Sequence, residues 1–217
     1  MTGYFWVRLS AASVLLPSVV GAVKFKRSLK AYRPFMYLIW IGLLNEATSE
    51  ILIATIKTSA VNNNIYTLLD YSFIVWLFMS LDDYRGKTMY YFLLVFGAAA
   101  WFIDNIVLHS ITGFSSYFRI IYGLIVVYLS VRKLSEVLFT ELRHSNKNAT
   151  FVICVAFSIA YTYQAVFETF GAINLKFSNE FYIKLYYILV FVNLFTNLLY
   201  ALAMLWVPAK RQFTLPY

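Results

Sequence analysis

Seven apolar stretches of the chain are each long enough to cross a lipid bilayer, and they dictate the solvent in which it folds. A hydrocarbon core about 30 Å thick calls for roughly 20 consecutive apolar residues per helix. Hydropathy predicts helices over residues 4–23, 34–56, 65–81, 88–108, 116–134, 150–171 and 180–206, the third being shortest. No break between them is long enough for a soluble domain. Only 13% of the 217 residues are charged and 61% are hydrophobic, whereas soluble domains carry about 25% charged residues. The expected fold is an all-α, polytopic seven-helix bundle forming a single domain over residues 1–217, with the lipid bilayer as its first partner.

The net charge of +8 does not point to nucleic acid, because the basic residues lie between the apolar runs, where the positive-inside rule accounts for them. The break at 24–33 holds Lys24, Lys26, Arg27, Lys30 and Arg33, and every second break thereafter is also basic. Thirteen Lys and Arg residues fall on that side, against only Lys57 and Lys176 on the other. The expected topology therefore has the N-terminus outside and the C-terminus in the cytoplasm. Val20-Gly21-Ala22 resembles a signal-peptidase site, but the five basic residues that follow would resist export. Pro17 is expected to kink the first helix without ending it.

Leu134, Val137, Leu138 and Leu142 recur at helical spacing beyond the fifth span, which predicts that this helix extends out of the membrane along the headgroups or toward a protein partner. Asn148-Ala149-Thr150 fits a glycosylation acceptor but falls on the cytoplasmic side. Cys154, the single cysteine, reads as a packing residue. Glu46 and Glu50 on the second helix share the spacing of Gln164 and Glu168 on the sixth, and Tyr66 opens the third helix much as Tyr182 opens the seventh. These matches suggest a 3+1+3 internal repeat.

Charges within a bilayer cost roughly 2.5 to 3.5 kcal/mol each on insertion scales, so their positions are informative. Glu46, Glu50, Asp70, Asp104 and Glu168 all fall toward the non-cytoplasmic half, with Arg8, Arg119 and Lys184. Asn45, Asn105, His109 and Gln164 lie at similar depth. Glu46 with Glu50, Gln164 with Glu168, and Tyr66 with Asp70 are four apart and share helix faces. Five acids against three bases leave an excess of negative charge, which favours a bound cation or amine. The expected ligand site comprises Arg8, Glu46, Glu50, Tyr66, Asp70, Asp104, Arg119, Gln164, Glu168 and Lys184, with Glu50 and Arg119 in one ionic network. An interlocking set of structural ion pairs would use the same residue types. Asn193 and Asn197 read best as helix-to-helix hydrogen bonders.

Two histidines are too few for an intramembrane zinc hydrolase. Lys184 lies too near its helix start for a retinal lysine, and neither a phosphate loop nor a nucleophile elbow is present. No cofactor is expected. The segments Asn45-Glu46-Ala47-Thr48-Ser49-Glu50-Ile51, Asn62-Asn63-Asn64-Ile65-Tyr66-Thr67-Leu68-Leu69-Asp70 and Ser116-Tyr117-Phe118-Arg119 resemble a seven-helix membrane protein family common in Bacteroidota. Asp70 stands where that family has a glutamate. The resemblance implies an inner-membrane address and gives weight to the polar set, without implying a substrate. A receptor or sensor that binds a small polar or cationic ligand and signals through a partner is the leading functional expectation. A small-solute transporter, a subunit of a larger membrane complex and an enzyme acting on a lipid-linked substrate are the alternatives.

Overall fold

The computed structural model describes residues 2–113, 116–140, 148–173 and 178–209, and these are almost wholly helical. The first apolar run forms α1 (Thr2–Ser13) and α2 (Leu15–Lys24). Pro17 separates them, since it has no N–H to offer the Ser13 carbonyl one turn earlier. Val14 between them keeps right-handed helical angles, so the run is kinked and continues as one rod. There follow α3 (Arg33–Ile56), α4 (Ala60–Leu81), α5 (Lys87–Phe102), α6 (Ser116–Thr140), α7 (Ala149–Ile173) and α8 (Asn179–Trp206).

Local chemistry fixes the helix ends. Pro34 opens α3, where its missing N–H costs nothing, and Lys57 closes it in a left-handed conformation. Asn148 accepts a hydrogen bond from the Phe151 N–H at the head of α7 (3.1 Å), and the Ser178 hydroxyl accepts one from Phe181 N–H at the head of α8 (3.3 Å). Between α4 and α5, positive φ angles at Asp83, Tyr84 and Gly86 reverse the chain. The third predicted helix was placed too short: α4 begins at Ala60, because Asn62, Asn63 and Asn64 are polar residues within the helix and do not form a loop.

α5 passes into a π-helical turn at Ile103–Leu108, closed by the His109 N–H donating to the Asp104 carbonyl (3.0 Å). The wider turn carries both Asp104 and Asn105 into the interior, where each is buried.

Six of these helical rods are long and apolar enough to cross a membrane. The seventh, α6, carries an uncharged core from Ile120 to Val131 between Arg119 and the Arg132–Lys133 pair. Large apolar side chains such as Val23, Leu44, Phe92, Val95 and Val107 are exposed, the surface expected of a multi-pass membrane protein whose outer solvent is lipid. α2, α3, α4, α6, α7 and α8 close into a ring, α1 continues the first rod along α8, and α5 lies outside against α4 and α6. At the end of the ring where α2 stops and α3 starts, Phe35, Met36, Ile74, Leu77, Phe78, Ile153, Phe157 and Met204 form a closed core. Cys154 is buried in it. At the opposite end α3 stays close to α4, and space opens between α3, α1 and α8.

α6 does extend to Thr140, and along its apolar stripe Leu134 is partly buried and Leu138 exposed. Val137 is fully buried, and α6 pairs with α7 over more of its length than any other two helices do. Leu142 lies outside the described residues.

Candidate functional site

The space inside the ring consists of two connected chambers. The inner one, about 190 Å³, is bounded by side chains that include Glu46, Tyr66, Asp70, Tyr161, Gln164 and Tyr200. The outer one, about 370 Å³, runs on past Arg119, Phe167, Glu168 and Tyr186 toward the end of the bundle that holds the start of α1. Ala11, Glu46, Ala160, Gln164 and Asn193 border both. Glu46 and Asp70 lie near the middle of their helices, about 15 Å from the helix ends at 1.5 Å per residue. Each is slightly nearer the end that meets the α3–α4 connection than the other end.

The floor is an aspartate held by tyrosines. Asp70 is 5% exposed. Its Oδ1 accepts a hydrogen bond from the Tyr66 hydroxyl one turn earlier (3.1 Å). Its Oδ2 accepts from Tyr161 on α7 (2.7 Å) and from Tyr122 on α6. Three helices thus converge on one carboxyl group. Hydroxyl donors can hold a carboxylate out of water, but they leave its charge uncompensated. Among the described residues no Lys, Arg or His forms an ion pair with Asp70.

Glu46 sits between the chambers. It is partly buried, and among the described residues it has neither an ion-pair partner nor a hydrogen bond. Above it Arg119 donates to Glu168 Oε1 (3.1 Å), an ion pair whose side chains are only 13% and 11% exposed. The Ser116 hydroxyl donates to Glu168 Oε2 (2.8 Å), and Arg119 also reaches Asn64 Oδ1 (3.4 Å). Asn64 in turn donates to the carbonyls of Ile111 (2.9 Å) and Gly113 (2.7 Å), tying the loop before α6 to α4.

Of the ten residues expected at the site, Glu46, Tyr66, Asp70, Arg119, Gln164 and Glu168 surround this space. The other four lie elsewhere. Glu50 faces the rim and pairs with Arg8 across the α1–α3 gap (2.8 Å), both side chains about half exposed (45% and 52%). The expected Glu50–Arg119 network is thereby replaced by two separate pairs, Arg8–Glu50 and Arg119–Glu168, because α4 lies between α3 and α6 in the ring. Asp104 accepts from the Phe118 N–H (2.8 Å) and bonds His109 Nδ1 (2.9 Å), so it caps α6. Among the described residues Lys184 pairs with Glu180, one turn earlier on the exposed surface (2.6 Å).

Asn45 and Ser49 on α3 and Asn62 and Asn63 on α4 hydrogen-bond one another, which makes this motif chiefly the clamp between two helices. Asn193 donates to the Ser10 hydroxyl (3.0 Å) and Asn197 to the Ser13 hydroxyl (2.7 Å), joining α8 to α1, and both also border the inner chamber.

Sequence reasoning missed Tyr122, Tyr161, Tyr186 and Tyr200. With 18 tyrosines in the chain, residue type alone could not single them out. Helical register was an available signal for two of them: Tyr161 is three before Gln164, and Tyr200 is three after Asn197. A second ionic cluster was also missed, at the opposite end, where Asp82 at the end of α4 binds Lys133 (2.9 Å), Arg132 and the Tyr90 hydroxyl (2.5 Å). No family model, curated protein or solved structure matches this chain.

Proposed function

We propose that this is a seven-span inner-membrane protein, N-terminus outside, that binds a small cationic or polar ligand from the non-cytoplasmic side, in the manner of a receptor or sensor acting through a partner. The carrying observation is Glu46, a partly buried carboxylate that borders both chambers and has no partner among the described residues. A carboxylate taken from water without compensation is costly, and an ammonium group supplies the missing charge. The tyrosine rings of Tyr66, Tyr186 and Tyr200 around the same space suit such a cation, since aromatic faces attract positive charge. Asp70 adds a second acid at the floor.

The thirteen-to-two basic asymmetry supports the orientation, and with it the outer chamber leads to the non-cytoplasmic side. The packed core beyond Asp70 favours a binder over a transporter, because a carrier must also open toward the cytoplasm. Membership in the Bacteroidota seven-helix family is part of this proposal, resting on the Asn45–Ile51 and Asn62–Asp70 segments.

The test is a thermal-stability screen of the purified chain against primary, tertiary and quaternary amines. A ligand at 100 times its Kd adds about 2.7 kcal/mol to the folded state. At least one amine should give a saturable rise in Tm, and Glu46→Gln should abolish that rise while leaving the protein folded. A rise that persists in Glu46→Gln would place the ligand elsewhere. Uptake of the same amine into proteoliposomes would favour the transporter.

A further inference from the structure

A different surface joins an aromatic groove to a basic turn. At the opposite end of the bundle α3 and α4 form an outward-facing groove of about 420 Å³ lined by Tyr37, Trp40, Ile41, Leu44, Phe73 and Trp76. Tyr37 stacks on Trp76 (6.0 Å, 21°). Trp40 donates its indole N–H inward to the Ser18 carbonyl (3.2 Å), so its carbon faces are left for the groove. Leu44 is 64% exposed. The groove opens toward the lipid.

Directly beside it lies the basic turn. The Phe25 ring touches both Tyr37 (5.7 Å) and Trp40 (5.1 Å), and the Arg33 guanidinium lies over that same ring at 5.4 Å. Among the described residues none of Lys26, Arg27, Lys30 and Arg33 has an acidic partner, and Arg33 Nε is buried without a hydrogen bond. Arg33 is also the first residue of α3, an end where the helix dipole disfavours a cation and favours an anion. The turn is held in place by the Leu29 N–H donating to the Pro208 carbonyl (3.0 Å). From Arg33 to Leu44 the helix rises about 16 Å, with charge at the membrane surface and aromatic carbon beneath it. That is the vertical order of an anionic phospholipid.

We infer that the 25–44 segment and the facing side of α4 form a specific site for an anionic phospholipid, the phosphate headgroup on Arg33 and the basic turn and one acyl chain in the Tyr37–Trp76 groove. General attraction of basic residues to an anionic leaflet requires neither the groove nor this particular arginine, and the two cases separate experimentally.

The full chain in neutral detergent is titrated with dioleoyl-phosphatidylglycerol, dioleoyl-phosphatidylcholine and free glycerol phosphate, with bound lipid counted by native mass spectrometry. Phosphatidylglycerol should bind saturably and at least about tenfold tighter than phosphatidylcholine, and glycerol phosphate should not compete at equal concentration. Arg33→Gln should weaken binding about tenfold; if that variant fails to fold, the exposed Arg27→Gln, Lys30→Gln pair takes its place. Leu44→Trp, which fills the groove without touching a charge, should weaken it comparably. Arg85→Gln with Lys87→Gln, on the same side but away from the groove, should change nothing. Equal binding of both lipids, equal competition by glycerol phosphate, an inert Leu44→Trp or an equal loss in the Arg85 and Lys87 control would each overturn the inference.

Discussion

At the scale of single residues, ionisable groups in this bundle do different work according to which helix lies opposite. Glu168 and Arg119 are a buried, hydrogen-bonded pair, with Ser116 and Asn64 completing the network around them. Removing one member strands the other, so Glu168→Gln should cost about 3 kcal/mol or more. The double change with Arg119→Gln should recover part of that loss in a double-mutant cycle. Glu50→Gln, which loosens a half-exposed pair, should cost about 1 kcal/mol or less and should be additive with Arg119→Gln. Unfolding in a fixed detergent, followed by helical circular dichroism, measures all of these. Additivity between Arg119 and Glu168 would contradict the contact.

At the scale of elements, α5 depends on one close approach. The Tyr71 ring is fully buried, its hydroxyl donates to the Leu93 carbonyl (2.6 Å), and a Cβ placed on Gly97 would lie 2.0 Å from that ring. Only glycine lets α5 sit this near α4. Gly97→Ala should displace α5 or rotate Tyr71, with a cost of about 1 to 3 kcal/mol as for other overpacked sites. Gly171→Ala, where nothing lies within 4 Å of the added carbon, should be tolerated. The π-helical turn that follows α5 has the same local character: it turns Asp104 and Asn105 inward together, and Asp104 thereby caps α6.

At the scale of the whole molecule, access to the chambers depends on orientation. Cysteine introduced at the exposed positions Thr58 or Thr112 should react with a membrane-impermeant thiol reagent in intact cells, and cysteine at exposed Arg27 or Lys87 should react only after lysis. Buried Cys154 should contribute little background. The opposite labelling pattern would turn the chambers toward the cytoplasm and with them the proposed ligand's route. Beside the ring closed by α2, α3, α4, α6, α7 and α8, Arg8 on α1 meets Glu50 on α3.

The helices themselves were legible in the sequence because burial in lipid is a property of each segment alone. Hydropathy sums along the chain and every backbone polar group must be satisfied within its own helix, so residues 34–56 and 180–206 were found to within a residue or so. Shared faces were legible for the same reason, as with Tyr66 and Asp70, since helical spacing is local. Which charges meet was not. Arg8, Arg119 and Lys184 lie at similar heights, and height is all that sequence gives. Whether Glu50 faces Arg8 or Arg119 depends on which helices are neighbours in the ring, which is set by packing among distant side chains. The tyrosines around Asp70 come from three helices separated by up to 95 residues, and their convergence exists only once the ring has closed. The segments of the bundle were written in composition and period, and the site was decided by tertiary contact, because a binding cavity is a relation between helices that no one of them contains.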